Sequence, residues 1–274
     1  MKYIVHISGG LTSFWAAKIA VEQKGKANVE GVFANTKGAK DKDNPHAGED
    51  QDSYRFIKDI AKHLGIRIWS VSDRRNIWDV MHDVRAIKIP QQDYAPCSKH
   101  LKQEILDRFI AYQYAGQEIT QVFGMNWDEK HRIYRLMQAK QTPLWFPLVN
   151  PPYIEKEEIA QYLIKHNIAI PRMYLIGFQH NNCGGFCVRA GKAHFARLYA
   201  MMPDRYKYHE AKEAELQAYL GKPVTVLKET INGKAQPLSL REFRERLENG
   251  TAKYDPHDYG ACGCFVSGLT DKDT

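Results

Sequence analysis

The chain has 274 residues, 43% of them hydrophobic and 26% charged, and its 39 basic against 32 acidic side chains give a formal charge of +7. That composition excludes a disordered or low-complexity chain, and no run approaches the roughly 18 apolar residues that a membrane span needs. The expectation is a soluble, cytoplasmic protein with no membrane partner, built as one α/β domain with a smaller appendage, whose mild positive charge suits an anionic ligand.

Tyr3 to Ile7 is a short apolar run ending at Gly9-Gly10, and Phe14, Trp15, Ile19 and Ala20 follow at helical spacing, so the chain opens as strand, tight loop, helix. Val29 to Ala34 reads as a second strand, and Phe56, Ile57, Ile60, Ala61 and Leu64 as the stripe of a second helix. Ile66 to Val71 supplies a third strand. Leu101, Ile105, Phe109 and Ile110 predict a helix capped by Ser98, and Ile119 to Phe123 a fourth strand before Gly124. Strands alternating with helices imply right-handed crossovers and a doubly wound, mostly parallel sheet.

Pro151-Pro152 marks a break, so residues 1–150 are expected to form a nucleotide-binding α/β domain and 151–274 a mainly helical region carrying cysteines. Within that region the pattern predicts a helix around Ile159, Tyr162 and Leu163 and a charged helix from about Asp204 to Leu220. A hairpin is expected from Val224 through Ile231 to the Asn232-Gly233 turn, and Ser239-Leu240-Arg241-Glu242 has the capping-box form for a last helix ending at Gly250.

The Ser8-Gly9-Gly10-Leu11-Thr12-Ser13 loop is the first chemical signal. A loop that leaves a strand, carries two glycines and opens a helix lets backbone N–H groups approach phosphate, and the helix N-terminus adds partial positive charge. Ser8, Thr12 and Ser13 add hydroxyls. An ordinary strand-to-helix turn has the same glycines, but this loop is neither the dinucleotide fingerprint nor a Walker loop.

The cysteines are the second signal. Of five, Cys97 is isolated, while Cys183 and Cys187 form one close pair and Cys262 and Cys264 another, the two pairs being separated by 75 positions from 187 to 262. Two pairs fit four thiolates converging on one centre, either structural zinc or a 4Fe-4S cluster. Gly184, Gly185 and Gly263 would let the backbone wrap such ligands, and His180 and His194 flank the first pair. Cys97, beside Lys99 and Lys102 at a predicted helix start, reads either as an activated thiolate or as an inert buried thiol.

Trp127 to Arg132 follows a strand end, where ligands of a doubly wound sheet gather. Asp128 or Glu129 suits Mg²⁺, and Arg132 or Arg135 suits charge on a leaving pyrophosphate, although a solvated helix start has the same composition. Glu49 and Asp50, in a polar loop read as surface, are the weaker acidic candidates. Arg172, Lys192, Arg197, Arg205 and Lys207 interleave with Tyr174, Phe178, Tyr199, Tyr206 and Tyr208, a composition compatible with nucleic-acid contact and equally with a charged helix face.

The loop resembles the SGGxxS PP-loop of the adenine-nucleotide α-hydrolase-like, HUP-like superfamily, and within it the chain resembles the phosphoadenosine phosphosulfate reductase-like family, including its uncharacterised phage and bacterial branch. Pro96-Cys97-Ser98-Lys99-His100-Leu101-Lys102 resembles the C-[ST]-x-x-L-K element, and residues 124–132 resemble the G-x-R-xx-E-xx-R segment. Asn182 to Gly191 resembles a motif of the uncharacterised branch. The resemblance implies ATP cleavage between the α- and β-phosphates, Mg²⁺ as partner ion, and binding roles for Ser8, Gly9, Gly10, Thr12, Ser13 and Lys102. It further implies catalytic roles for Glu129, Arg132 and Cys97, and favours 4Fe-4S over zinc at Cys183, Cys187, Cys262 and Cys264.

Two departures shape the functional expectation. The tail reads Gly260-Ala261-Cys262-Gly263-Cys264 where true reductases carry an ECGLH-like motif, and Asn35-Thr36-Lys37 replaces their Asp-Thr-Gly. The leading expectation is therefore an enzyme that adenylylates a substrate with ATP, serving sulfur transfer or nucleobase or nucleic-acid modification, with nucleic acid and a sulfur-donor protein as partners. A sulfonucleotide reductase and a non-catalytic, zinc-stabilised nucleotide- or nucleic-acid-binding protein are the alternatives.

Overall fold

The computed structural model describes residues 1–89 and 95–260. Its centre is a five-stranded parallel sheet made of β1 (Lys2–His6), β2 (Val29–Ala34), β3 (Ile68–Val71), β4 (Ile119–Phe123) and β5 (Leu144–Trp145), in the order β3-β2-β1-β4-β5. β1 lies in the middle, with Tyr3 opposite Val29 on one side and His6 opposite Phe123 on the other. The order reverses between β1 and β4, which opens a crevice at the carboxyl ends of these two strands. The doubly wound α/β expectation holds.

Strand alternation explains why both faces of the sheet are covered. Val5, Phe33 and Val122 face α1 (Leu11–Lys24) and α2 (Gln51–Leu64) in one buried cluster. Ile4, Val32 and Ala34 face the opposite way, onto Leu106 and Ile110. α1 begins at Gly10 and stops at Gly25, whose φ of 79° suits glycine. α2 is capped by Asp50, whose side chain accepts the Asp52 N–H at 3.0 Å, and ends at left-handed Gly65. The Ile66 N–H then bonds back to Ala61 C=O at 3.2 Å. Ile66 thus closes the helix end, and the third strand starts at Ile68 rather than at Ile66.

Between β3 and β4 come α3 (Ile77–Val84), capped by Asn76, then α4 (Pro96–Ser98), a π-helical stretch Lys99–Gln103, and α5 (Glu104–Gln113). Ser98 is not the cap expected for this helix. Pro96 occupies the first turn after Ala95, leaving Ser98 inside the helix and buried. α6 (Lys130–Ala139) joins β4 to β5.

Past the Pro151-Pro152 break, α7 (Lys156–Lys165) packs Ile159 and Leu163 into the same cluster as Phe14 of α1, so the core runs across the break. α8 (Arg172–Leu175), α9 (Lys192–Met201), α10 (Pro203–Leu220), the hairpin β6 (Leu227–Ile231) and β7 (Lys234–Leu238), and α11 (Leu240–Glu248) complete the described chain. The hairpin turns at Asn232-Gly233, and Ser239 caps α11 by accepting the Glu242 N–H at 3.1 Å. Phe195, Tyr206, Leu240 and Phe243 form a second core with Trp78 and Met81 of α3. No described helix is long and apolar enough to cross a membrane.

Candidate functional site

The crevice between β1 and β4 holds a cavity of about 410 Å³. It gathers Ser8, Thr12, Ser13, Lys102, Glu129 and Arg132 from three separate stretches of sequence. Phe33, Ala34 and Leu106 give it an apolar side, while Asp128, Glu155 and Glu157 give it an acidic one.

The loop geometry follows from its residues. Gly9 adopts φ +78°, a region that L side chains rarely enter. Ser13 Oγ accepts from the Ser8 N–H at 3.2 Å and donates to Gly10 C=O at 2.9 Å, which ties the loop into a tight cradle. No side chain caps α1 at Gly10, so its first-turn N–H groups keep the partial positive charge of a helix start beside the cavity. The Leu11 N–H is taken by the Tyr174 hydroxyl at 3.3 Å. Gly124, at the end of β4, lets that strand approach the loop, since a Cβ there would stand 2.6 Å from Thr12 C=O and 2.7 Å from Ser13 N.

Arg132 and Glu129 are ion-paired across one helical turn, and Glu129 Oε2 also accepts the Asn126 N–H at 3.0 Å. Arg132 Nε is buried and has no partner among the described residues, and the residue lines the cavity. His6 forms part of the floor, with Nε2 2.8 Å from Gln121 Oε1 and its ring stacked on Phe123. Burial drives its pKa down to about 3, so it is neutral at physiological pH.

Glu49 and Asp50 are not surface residues. Their relative exposures are 1% and 0%, because the loop before α2 folds inward under the helical region. Asp50 holds Arg172 with two bonds of 2.8 and 2.5 Å, while Glu49 stands 3.4 Å from Lys102 Nζ and lines the cavity. Glu49 Oε2 has no partner among the described residues.

Lys102 joins this cavity to a second, narrow chamber of about 10 Å³, room for roughly one water. Cys97, Cys183 and Cys187 all line that chamber, and Lys102 Nζ lies 3.5 Å from Cys183 Sγ. Cys183 has φ +52° and is followed by Gly184 and Gly185 at +56° and +83°, a left-handed run that turns the backbone around the chamber. The glycines are required, since a Cβ at Gly184 would overlap the Arg205 guanidinium. Among the described residues no three His, Cys, Asp or Glu side chains are grouped as a metal site. Cys262 and Cys264 lie outside the described residues. The last described residue, Gly260, bridges to Ala190, three positions after Cys187.

The basic and aromatic residues of the helical region divide. Arg205 is 2% exposed and donates to Gly48 and Pro45 carbonyls, and Tyr206 and Phe178 are core, whereas Lys207 is exposed. His194 is buried against Gly185 C=O at 2.7 Å, its pKa lowered by desolvation.

Sequence reasoning missed Asn181. Its Nδ2 donates to Gly9 C=O at 2.7 Å, and its Oδ1 accepts from Ser53 at 3.0 Å. An asparagine has no positional pattern that announces such a bond.

No family model matches the chain. Over 185 residues it is 24% identical to an uncharacterized protein of Methanocaldococcus jannaschii, an alignment covering 66% of this chain and 35% of that protein's length. Among solved structures, it is similar to a crystal structure of phosphoadenylyl-sulfate reductase from Candida auris in complex with phosphate, with a TM-score of 0.43 and 12% identity over 67% of this chain and 81% of that one.

Proposed function

We propose that this chain is an ATP-cleaving enzyme of the PP-loop type, which adenylylates an acceptor and releases pyrophosphate. The observation that carries the reading is the meeting of the uncapped start of α1 and the Ser8–Ser13 cradle with Arg132, whose buried Nε lacks a partner among the described residues. A helix start, loop hydroxyls and a guanidinium aimed at one cavity suit a polyphosphate. The apolar side at Phe33, Ala34 and Leu106 suits adenine.

In this reaction an acceptor oxygen or nitrogen forms a bond to the α-phosphorus, and the bond from that phosphorus to the oxygen bridging the β-phosphate breaks. Pyrophosphate leaves with the electron pair, and the acceptor's proton, where it has one, passes to solvent. Arg132, Lys102 and the α1 N–H groups offset the charge that develops on the leaving group. Asp128 and Glu129 line the same cavity and suit Mg²⁺, an ion that neutralises phosphate charge.

Cys183, Cys187, Cys262 and Cys264 are proposed to hold a 4Fe-4S cluster, or structural zinc in its place. The shared chamber of Cys183 and Cys187, and the Ala190–Gly260 bridge that brings the start of the tail beside them, support this donor set. A cluster would supply redox or sulfur chemistry next to Lys102.

ATP–pyrophosphate exchange tests the reading. Exchange by the wild type should collapse in Ser8→Ala and Ser13→Ala, because each hydroxyl holds the cradle. Retained exchange in both variants defeats it.

A further inference from the structure

Two large aromatic rings lie in the open at the acidic end of the cavity. Trp127 and Tyr153 are 43% and 52% exposed, and their centroids stand 5.5 Å apart at 47°. Each sits beside the lining, Trp127 between Asn126 and Asp128 and Tyr153 two positions before Glu155. Rings of this size are ordinarily driven into a core, and an exposed pair at a cavity mouth offers aromatic faces to a ligand.

The charges around the pair define what fits. Just inside it, Glu155 and Glu157 present carboxylates, while Lys156 is engaged with Gln179 C=O at 3.2 Å. That edge repels phosphate and accepts N–H donors. Just outside it, Lys130, His131 and Tyr134 are exposed at three, four and seven positions from Trp127, which puts them on one side of the chain as it enters α6. An aromatic platform with N–H acceptors inward and basic and aromatic side chains outward suits a base turned in and a phosphodiester backbone left out.

We propose, building on the adenylylation reading, that the acceptor is an unpaired base of a single-stranded nucleic acid, stacked on Trp127 and Tyr153 at the cavity mouth. The base edge meets Glu155 and Glu157, and the flanking backbone runs over Lys130, His131 and Tyr134.

Fluorescence anisotropy with labelled 12-mer single strands of mixed sequence tests this, using DNA and RNA of one sequence, the matching duplexes and an abasic strand. The wild type should prefer base-bearing single strands to duplex and abasic probes, and the stronger of the DNA and RNA arms identifies the natural polymer. Trp127→Ala should weaken the preferred strand about tenfold and Tyr153→Ala about fivefold, as expected for loss of one stacking partner, while Trp127→Phe stays near wild type. Both side chains are exposed, so thermal unfolding should be little changed and a binding loss is not a folding loss.

Equal binding of abasic and base-bearing strands overturns the proposal. So does unchanged binding in Trp127→Ala, a free nucleoside matching the strand, or no binding of any probe by the wild type. ATP binding by the wild type is measured in parallel by calorimetry. Base-dependent strand binding without ATP binding keeps this surface and defeats the adenylylation reading, whereas ATP binding without strand binding does the reverse.

Discussion

Asn181 fixes the Ser8–Ser13 loop from 172 positions away, donating to Gly9 C=O at 2.7 Å and accepting from Ser53 Oγ at 3.0 Å. Asn181 is 1% exposed, so removing its amide leaves Gly9 C=O buried and unpaired, which costs about 1–3 kcal/mol. Asn181→Ala is expected to lose that much in urea unfolding and to weaken ATP binding through a loosened loop. Asn181→Asp, which cannot donate to the carbonyl, should do the same despite its matching shape. Unchanged ATP affinity in both variants would separate Asn181 from loop positioning.

Gly124 is where β4 touches the loop. A methyl group there meets three backbone atoms, Thr12 O at 2.6 Å and Ser13 Cα and N at 2.7 Å, none of which yields as a side-chain tip would. Gly124→Ala should cost about 1–3 kcal/mol through overpacking. It should also displace the cradle, reducing ATP affinity by more than the stability loss alone suggests. Calorimetric titration at a temperature well below unfolding isolates the binding effect.

Lys102 and Glu49 are paired at 3.4 Å with almost no exposure. Lys102→Met leaves the Glu49 carboxylate without that countercharge, and breaking a buried pair from one side costs about 3–5 kcal/mol. The double variant Lys102→Met with Glu49→Leu should recover most of that stability. Pyrophosphate exchange should remain low in both, because the recovered protein still lacks the cation at the cavity. Recovery of exchange in the double variant would make the pair purely structural.

Glu213 predicts a specific pH dependence of stability. Its carboxylate accepts the Val226 N–H at 2.8 Å and the Leu240 N–H at 2.7 Å, yet burial outweighs these bonds and raises its pKa from 4.5 to about 7. The native state therefore binds the proton more tightly than the unfolded chain. This contribution is fully present below about pH 4.5 and is lost as pH rises through about 7, at most about 3 kcal/mol. Glu213→Gln removes the titration, so the stability of the wild type should fall relative to that of the variant from pH 5 to pH 8. A constant gap across that range would show that Glu213 titrates normally.

Anaerobically purified protein should carry iron and acid-labile sulfide in equal amounts, with visible absorbance that Cys183→Ser or Cys264→Ser abolishes. Bound zinc without iron would move the cysteine centre to a structural role. Absence of either metal in fully reduced, freshly purified protein would remove the four-thiolate proposal.

The parallel α/β order was legible in the sequence because each piece is local. Short apolar runs, 3.6-residue stripes and Gly9-Gly10 announce strand, loop and helix without reference to distant residues. The Asn232-Gly233 turn and the Ser239 cap were legible for the same reason. Tertiary structure alone decided which polar residues turn inward. Glu49 and Asp50 sit in a stretch as hydrophilic as any surface loop, and only the packing of the helical region over it buries them against Lys102 and Arg172. Arg205 looks like a solvent-facing charge until Gly184 leaves room for its guanidinium. Asn181 gives no signal at all, because a hydrogen bond between residues 172 positions apart depends on where the chain brings them. The sequence by itself determined four of the five strands of the sheet, the loop and the kinds of side chain available for chemistry. Tertiary structure decided which of them share one cavity, since burial and long-range pairing belong to the packed whole and to no local pattern.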